Sequence, residues 1–247
     1  MAQVKKLFLI DAFALIYRSY FAFSKNPRIN SKGLETSAVL GFVNSLLEVI
    51  KKENPTHIAV VFDTPAATVR HEEYSEYKAN REAMPEGIAV ALPYIDQLLE
   101  AFNIPKLYAD GYEADDVIGT LAKKAEKQGF ITYMMTPDKD FAQLVSENIL
   151  LYRPGNKWKP TETWGVLEVL NKFEIKDVSQ VIDFLAMMGD AVDNIPGLPG
   201  VGEKTAKKLL AEYGNMEGLL ENAHKVKGKL GEKIQAHKEQ GILSKRL

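Results

Sequence analysis

The stretch Leu7-Phe8-Leu9-Ile10-Asp11 is an apolar run too short for a helix, and it ends directly on an acid. The same arrangement returns twice. Ile58-Ala59-Val60-Val61-Phe62 runs into Asp63, and Ile131-Thr132-Tyr133-Met134-Met135 leads through Thr136-Pro137 to Asp138 and Asp140. Such runs, rich in β-branched and aromatic residues, read as buried strands, and residues 149–152 read as a fourth. Between them, Val39, Phe42, Val43, Leu46, Leu47 and Ile50 share one helical face, as do Ile88, Leu92, Ile95, Leu99 and Phe102. A third helix follows Tyr112, with Val117, Ile118, Leu121 and Ala125 inward and Gly129 as its stop. Strands alternating with helices specify an α/β fold with a central, mostly parallel sheet flanked by helices.

In an open parallel sheet the carboxyl ends of the strands line one edge, and ligands bind there. A single strand-end Asp is an ordinary turn former or helix cap. Three at one edge bring like charges together, each raising the pKa of the others, so a stable cluster calls for cations. Glu113-Ala114-Asp115-Asp116 adds acids at a helix start, where the dipole favours one or two. Gly189-Asp190-Ala191-Val192-Asp193 adds two more after an apolar helix containing Val181, Ile182, Leu185 and Met188. Asp190 and Asp193 would share a face if that turn is helical. Nine carboxylates at five loci form a hard, all-oxygen ligand set suited to magnesium or manganese. The four histidines lie outside these loci, which argues against zinc. The absence of cysteine excludes a disulfide framework, a zinc ribbon, an iron–sulfur cluster and a cysteine nucleophile.

The 247 residues are 46% apolar and 26% charged, enough for a sizeable core. Charge is uneven along them: 11 basic and 12 acidic in residues 1–100, 10 and 15 in 101–195, 10 and 6 in 196–247. An acidic middle and a basic end suit a protein that gathers cations in one place and a polyanion in another. No run approaches the roughly 20 apolar residues of a membrane span, and the N-terminus is no signal peptide, which points to a cytosolic protein.

The basic end opens with Gly197-Leu198-Pro199-Gly200-Val201-Gly202-Glu203-Lys204-Thr205. Its glycines permit close backbone approach, and the helix that follows, with Ala206, Leu209, Leu210 and Tyr213 inward, offers backbone N–H groups to an anion. Gly197 and Gly202 have the spacing of a P-loop, but Glu203 stands where that motif needs lysine. With Lys204, Lys207 and Lys208 on an exposed face, this is the make-up of a helix–hairpin–helix, which grips a nucleic-acid backbone without reading bases. The polar segment 68–93 follows Asp63 and reads either as a solvated loop or as a lid whose Arg70, Lys78 and Arg81 meet a phosphate. Tyr20, Phe21 and Tyr77 are candidates to stack on bases.

With these motifs in view, the chain resembles the 5′-nuclease domain of bacterial DNA polymerase I and, more broadly, flap endonucleases and phage 5′-exonucleases. The resemblance rests on strand-end Asp11 and Asp63, Tyr-Glu-Ala-Asp-Asp at 112–116, Pro-Asp-Lys-Asp at 137–140, Tyr-Lys-Ala-Asn-Arg at 77–81, and Gly-Asp-x-x-Asp-Asn-Ile-Pro-Gly at 189–197. It implies a PIN-like, resolvase-like nuclease core over residues 1–177 with an arch at about 68–93, and a helix–hairpin–helix region over 178–247. It implies magnesium, with manganese substituting, as two or more ions. Asp11, Asp63, Glu113 and Asp115 would surround the first, with Asp138, Asp140, Asp190 and Asp193 around the second and Asp116 between. Lys78 and Arg81, with Arg70, would approach the scissile phosphodiester. Tyr20, Tyr77, Gly197, Gly200, Val201, Gly202, Lys204, Thr205, Lys207 and Lys208 would contact DNA, and carbonyls near Val201 would take a potassium ion.

The activity implied is two-metal hydrolysis of phosphodiester bonds at 5′ flaps, nicks and 5′ ends, without sequence preference, by a monomer fused to a polymerase in the full protein. Two rivals remain at this point. A PIN-type nuclease acting on RNA would be shorter and lack the hairpin. A branched-DNA binding module without catalysis would have no use for a complete carboxylate set.

Overall fold

The computed structural model describes residues 4–156 and 159–247, which divide into two compact units. One comprises the described residues of 4–68, 83–141 and 146–165, and the other 69–82, 142–145 and 166–247. Residues 69–82, 142–145 and 166–177, read from the sequence as part of the nuclease core, pack with the second unit.

The first unit is built on a six-stranded sheet of β1 (Lys5–Asp11), β2 (His57–Val61), β3 (Lys106–Leu107), β4 (Phe130–Met135), β5 (Ile149–Arg153) and β6 (Glu162–Trp164). Its order is β3-β2-β1-β4-β5-β6, parallel throughout except that β6 runs antiparallel to β5. The four strands read from the sequence are there. Register aligns Asp11 with Val61 and Ile10 with Met135, so β1, β2 and β4 end at the same edge.

Helix α1 (Ala12–Ala22) begins at once because Asp11 caps it, its side chain accepting the Ala14 N–H at 3.1 Å. Helix α2 (Ser37–Glu48) buries Phe42 and Leu46. The short α3 (Val69–Glu73) belongs to the second unit. Helix α4 (Glu86–Ala101) runs through Pro93, which lies on the exposed side, so the Ala89 carbonyl deprived of a donor faces solvent. The segment 68–93 is therefore no single lid, since from Glu86 onward it is a helix burying Ile88, Ala91, Ile95 and Leu99. These residues join Phe8, Ile10, Leu15, Ile16, Phe42 and Leu46 in one fully buried core. Helix α5 (Ala114–Glu126) completes the unit, buried through Ile118 and Ala122.

The second unit is helical: α6 (Val166–Phe173), α7 (Gln180–Met188), α8 (Glu203–Tyr213), α9 (Met216–Glu221), α10 (Gly228–Ala236) and α11 (Lys238–Arg246). Helices α8 and α11 both pack on α7. A buried Asp183 on α7 accepts from Lys245 of α11 at 2.6 Å and from the Met216 N–H at 3.0 Å, so the charge is paired and α9 is tied to the same point.

Candidate active site

Asp11, Asp63, Glu113, Asp115, Asp116, Asp138 and Asp140 all stand at or just beyond the carboxyl edge of the sheet in the first unit. Asp11 is 9% exposed, and besides Ala14 it accepts the Thr136 hydroxyl at 2.9 Å. Burial pushes its carboxyl up to about 7. The two hydrogen bonds oppose that rise, and the charges of Asp63 and Asp138 add to it. Asp63 accepts the Ala114 N–H at 2.9 Å, which ties the end of β2 to the start of α5. Glu113 is the buried N-cap of α5 and forms a capping box with Asp116. The Glu113 N–H donates to Asp116 at 3.1 Å, and the Asp116 N–H donates to Asp115 at 2.6 Å. Asp138 takes the Asp140 N–H at 2.9 Å and donates its own N–H to the Thr136 hydroxyl at 3.2 Å.

Thr136 thus links Asp11 to the Asp138 backbone. The sequence reading passed over it, although its place between strand end and acid is the signal that marks it. Among the described residues no three carboxylates close into a set that could hold an ion as they stand. Like charges at one edge repel, and backbone N–H and hydroxyl donors take up several of their oxygens. The donor set is nevertheless all oxygen, and the buried Thr64 hydroxyl beside Asp63 has no hydrogen-bond partner among the described residues. Both features fit a hard cation with its water.

In the second unit, Asp190 and Asp193 sit in a closed loop and not on a helical turn. Helix α7 stops at Met188, and Asp190 and Ile195 exchange backbone bonds of 2.9 and 2.7 Å. Residues 76–81 are stitched to this loop. The Lys78 N–H donates to the Asp193 carbonyl (2.9 Å), Asn80 to the Ala191 carbonyl (2.7 Å), and Asn194 to the Glu76 carbonyl (2.7 Å). Arg81 grips the Asp193 carboxylate with Nε at 3.0 Å and Nη2 at 2.5 Å.

Of three further candidates, Tyr77 is the one the structure corrects. Tyr77 is buried against His71, with its ring covered by the Lys78 ammonium 4.9 Å away, so it cannot serve as a stacking platform. Arg70 donates Nε to the Leu247 carbonyl at 2.7 Å and is engaged within its own unit. In the first unit Tyr20 is half-buried against Gly87, and only its neighbour Phe21 is largely exposed.

The glycine-rich hairpin divides by position. Gly197 is buried, donates its N–H to Ser244 Oγ (3.0 Å) and accepts from Gln240 (2.7 Å), so its polar groups are spent on α11. Val201 is buried as well. Gly200, with φ 86°, and Gly202, the extended N-cap of α8, are exposed. Thr205 is half-buried. Lys207 is not on an open face: its ammonium sits 2.9 Å from both Glu174 and Glu203, and those two bonds hold its pKa above the usual lysine value. Lys204 and Lys208 are exposed. A Cβ at Gly200 would lie 3.8 Å from the Lys233 ammonium, so α10 brings Lys233 alongside the hairpin. Lys229 is exposed on the same helix. Neither lysine was singled out from the sequence, because only the fold places α10 beside Gly200.

Residues 6–174 match a family described as the 5′-3′ exonuclease N-terminal resolvase-like domain, and residues 177–247 match the 5′-3′ exonuclease C-terminal SAM fold. The chain belongs to the 5′-3′ exonuclease family. A 5′-3′ exonuclease of Aquifex aeolicus is 43% identical over 222 residues, covering 90% of this chain and 74% of that protein. DNA polymerase I of Bacillus subtilis is 41% identical over 249 residues, all of this chain but 28% of the polymerase. Among solved structures of this exonuclease fold, phage T5 5′-exonuclease with bound zinc superposes with a TM-score of 0.77 at 22% identity, covering 97% of this chain and 88% of that one. Flap endonuclease-1 from Methanococcus jannaschii gives a TM-score of 0.58 at 18% identity, covering 95% and 78%. No helix among the described residues is long and apolar enough to cross a membrane.

Proposed function

We propose that this chain is a divalent-cation-dependent nuclease that hydrolyses phosphodiester bonds at 5′ flaps and 5′ ends of DNA. The observation that carries this reading is the delivery of seven acids to one sheet edge, with Asp11 buried among them beside the charges of Asp63 and Asp138. Asp11, Asp63, Glu113, Asp115, Asp116, Asp138 and Asp140 are the proposed ligands of magnesium or manganese, with Asp190 and Asp193 of the second unit as further carboxylate ligands. Such cations, when bound, lower the pKa of water and stabilise the attacking and leaving oxygens of an in-line displacement. Asp11 takes and orients one donor from each side, Thr136 and Ala14, which fixes its carboxylate at the edge. Arg81 turns two donors onto one Asp193 oxygen, an arrangement that could equally meet a phosphate oxygen, and exchanging Asp193 for the scissile phosphate is its proposed role. Lys78 supplies a second cation on the same strap. Carbonyls near Val201 are proposed to take a potassium ion. The 28% coverage of the polymerase supports fusion of this chain to a polymerase in the full protein.

The deciding experiment uses a 5′-flap duplex labelled at either end, with magnesium, manganese or EDTA. Cleavage at the flap base in either metal and none in EDTA is expected. Binding without cleavage in both metals would move the chain to the binding-module reading.

Lys204, Lys208, Lys229 and Lys233 are the proposed phosphate contacts of the hairpin region, and binding should be steeply salt-dependent. Changing Lys204 and Lys208 together to Ala is expected to reduce the slope of log K against log salt by about two. Lys207→Ala should leave that slope unchanged and lower the melting temperature slightly, because its ammonium is already committed to Glu174 and Glu203. Equal slopes for all three proteins would remove the hairpin from the interface.

A further inference from the structure

The loop between β3 and α5 reads Tyr108-Ala109-Asp110-Gly111-Tyr112. Its two tyrosines are 66% and 53% exposed, and among the described residues neither ring meets another ring or a cation. The loop is tightly turned. The Tyr112 N–H donates to the Ala109 carbonyl at 3.2 Å, and Gly111 holds a φ of 82° that suits glycine. It leaves the sheet at the carboxyl end of β3 and re-enters at Glu113, the buried cap of α5, next to the Ala114 N–H that binds Asp63. Both rings therefore stand on a short, anchored loop at the acid edge.

Charge decides what such a pair can hold. The charged residues from 107 to 122 are all acidic (Asp110, Glu113, Asp115 and Asp116), with Lys106 and Lys123 lying outside, so the loop itself repels phosphates and offers them only the two tyrosine hydroxyls as donor side chains. An aromatic surface without cations suits the faces of bases. Bases inside a duplex are already stacked on one another, which leaves unpaired or terminal bases as the group that fits. We infer that Tyr108 and Tyr112 form a stacking platform for unpaired nucleobases beside the acid edge, selecting substrates with single-stranded nucleotides at the cleavage point. This rests on the nuclease reading above. The two tyrosines are positioning residues and carry out no proton transfer.

The test uses the full chain and a 5′-flap duplex bearing 2-aminopurine at the flap base, in calcium, with a blunt duplex as control. The protein is expected to change 2-aminopurine fluorescence on binding. Changing Tyr108 and Tyr112 together to Ala should abolish that change and weaken flap binding about tenfold or more, while affinity for the blunt duplex stays the same. Changing both to Phe should restore signal and affinity. An unaltered signal and affinity in the double Ala variant would overturn the platform, and so would an equal loss on blunt duplex. Magnesium-dependent cleavage by the wild-type chain separates the two readings. If it cleaves and the variants behave alike, the platform alone fails; if it neither cleaves nor binds the flap, both fail.

Discussion

Replacing Asp11 by asparagine is expected to abolish flap cleavage and, in the same protein, to raise the melting temperature of the metal-free chain. The carboxyl is buried at the end of β1 beside the charges of Asp63 and Asp138, and it is pushed up to about 7. In the unfolded chain it ionises near 3.8. Between those values the unfolded state gives up a proton that the fold retains. Stability from this group is thus full below about pH 4 and is lost as pH rises through about 7. At 1.36 kcal/mol per pH unit the loss approaches roughly 4 kcal/mol above neutrality. Asparagine keeps an oxygen for the Ala14 N–H, so the cap of α1 survives and the buried charge disappears. Melting curves near pH 8 should move up by several degrees, and curves near pH 4 should coincide.

Magnesium should raise the wild-type melting temperature near pH 8, since binding the folded state alone stabilises it, and should raise that of Asp11→Asn less. Cleavage by the variant should fall by about a thousandfold or more, as loss of a ligand to the cation that activates water and stabilises the displacement implies. Retained cleavage would remove Asp11 from the metal site. Coincident melts at both pH values would mean that the carboxyl is ionised in the fold. Opposite effects on activity and stability would show that the edge holds its acids together for chemistry at a cost to the fold.

What the sequence made legible follows from which forces are local. Strands β1, β2, β4 and β5 are buried in the sheet and so are written as apolar runs, and the acids that end β1 and follow β2 and β4 fall into view with them. Strand β3 is two half-buried residues, Lys106 and Leu107, and leaves no pattern. Strand β6, antiparallel at the edge, has exposed Glu162 and Thr163 before buried Trp164. Helix α1 is nearly all apolar and continues β1 without a break, which hides its period. The side chains whose partners the sequence does not reveal are those paired across the chain: Arg81, still exposed, on Asp193, 112 residues away, and half-buried Lys207 on Glu174, 33 away. Residue type and spacing located the charge. Only the fold says whether a charge is already answered.

Gly189→Ala is expected to be among the most damaging single-methyl additions in the second unit, and Gly33→Ala is the comparison at a positive-φ glycine with no atom in the way. Gly189 combines φ 69° with ψ 178°, a region open essentially to glycine alone, and Gly33 has φ 79°, so an added methyl meets backbone strain at both before any contact is counted. Around Gly33 the methyl finds nothing within 4 Å. At Gly189 it would run into the Ile195 carbonyl oxygen and lie 2.7 Å from the Gly197 nitrogen and 2.8 Å from the Pro196 carbonyl carbon. These are backbone atoms and cannot rotate away. Gly197 is the reciprocal half of the contact, since its own Cβ would fall 2.5 Å from the Gly189 nitrogen. The two glycines are the neck of the loop that carries Asp190 and Asp193 and receives Lys78, Asn80 and Arg81.

Prising that neck open should cost more than about 3 kcal/mol, beyond the range of ordinary substitutions, against about 1–2 kcal/mol for Gly33→Ala. Denaturant melts followed by circular dichroism measure both, with unchanged m-values expected for Gly33→Ala. Flap cleavage should survive in Gly33→Ala and fall in Gly189→Ala even where the protein remains folded, because the strap bearing Lys78 and Arg81 loses its seat. Equal destabilisation by the two substitutions would mean that the loop relaxes around the methyl and that the glycine neck does not fix Asp193 against Arg81.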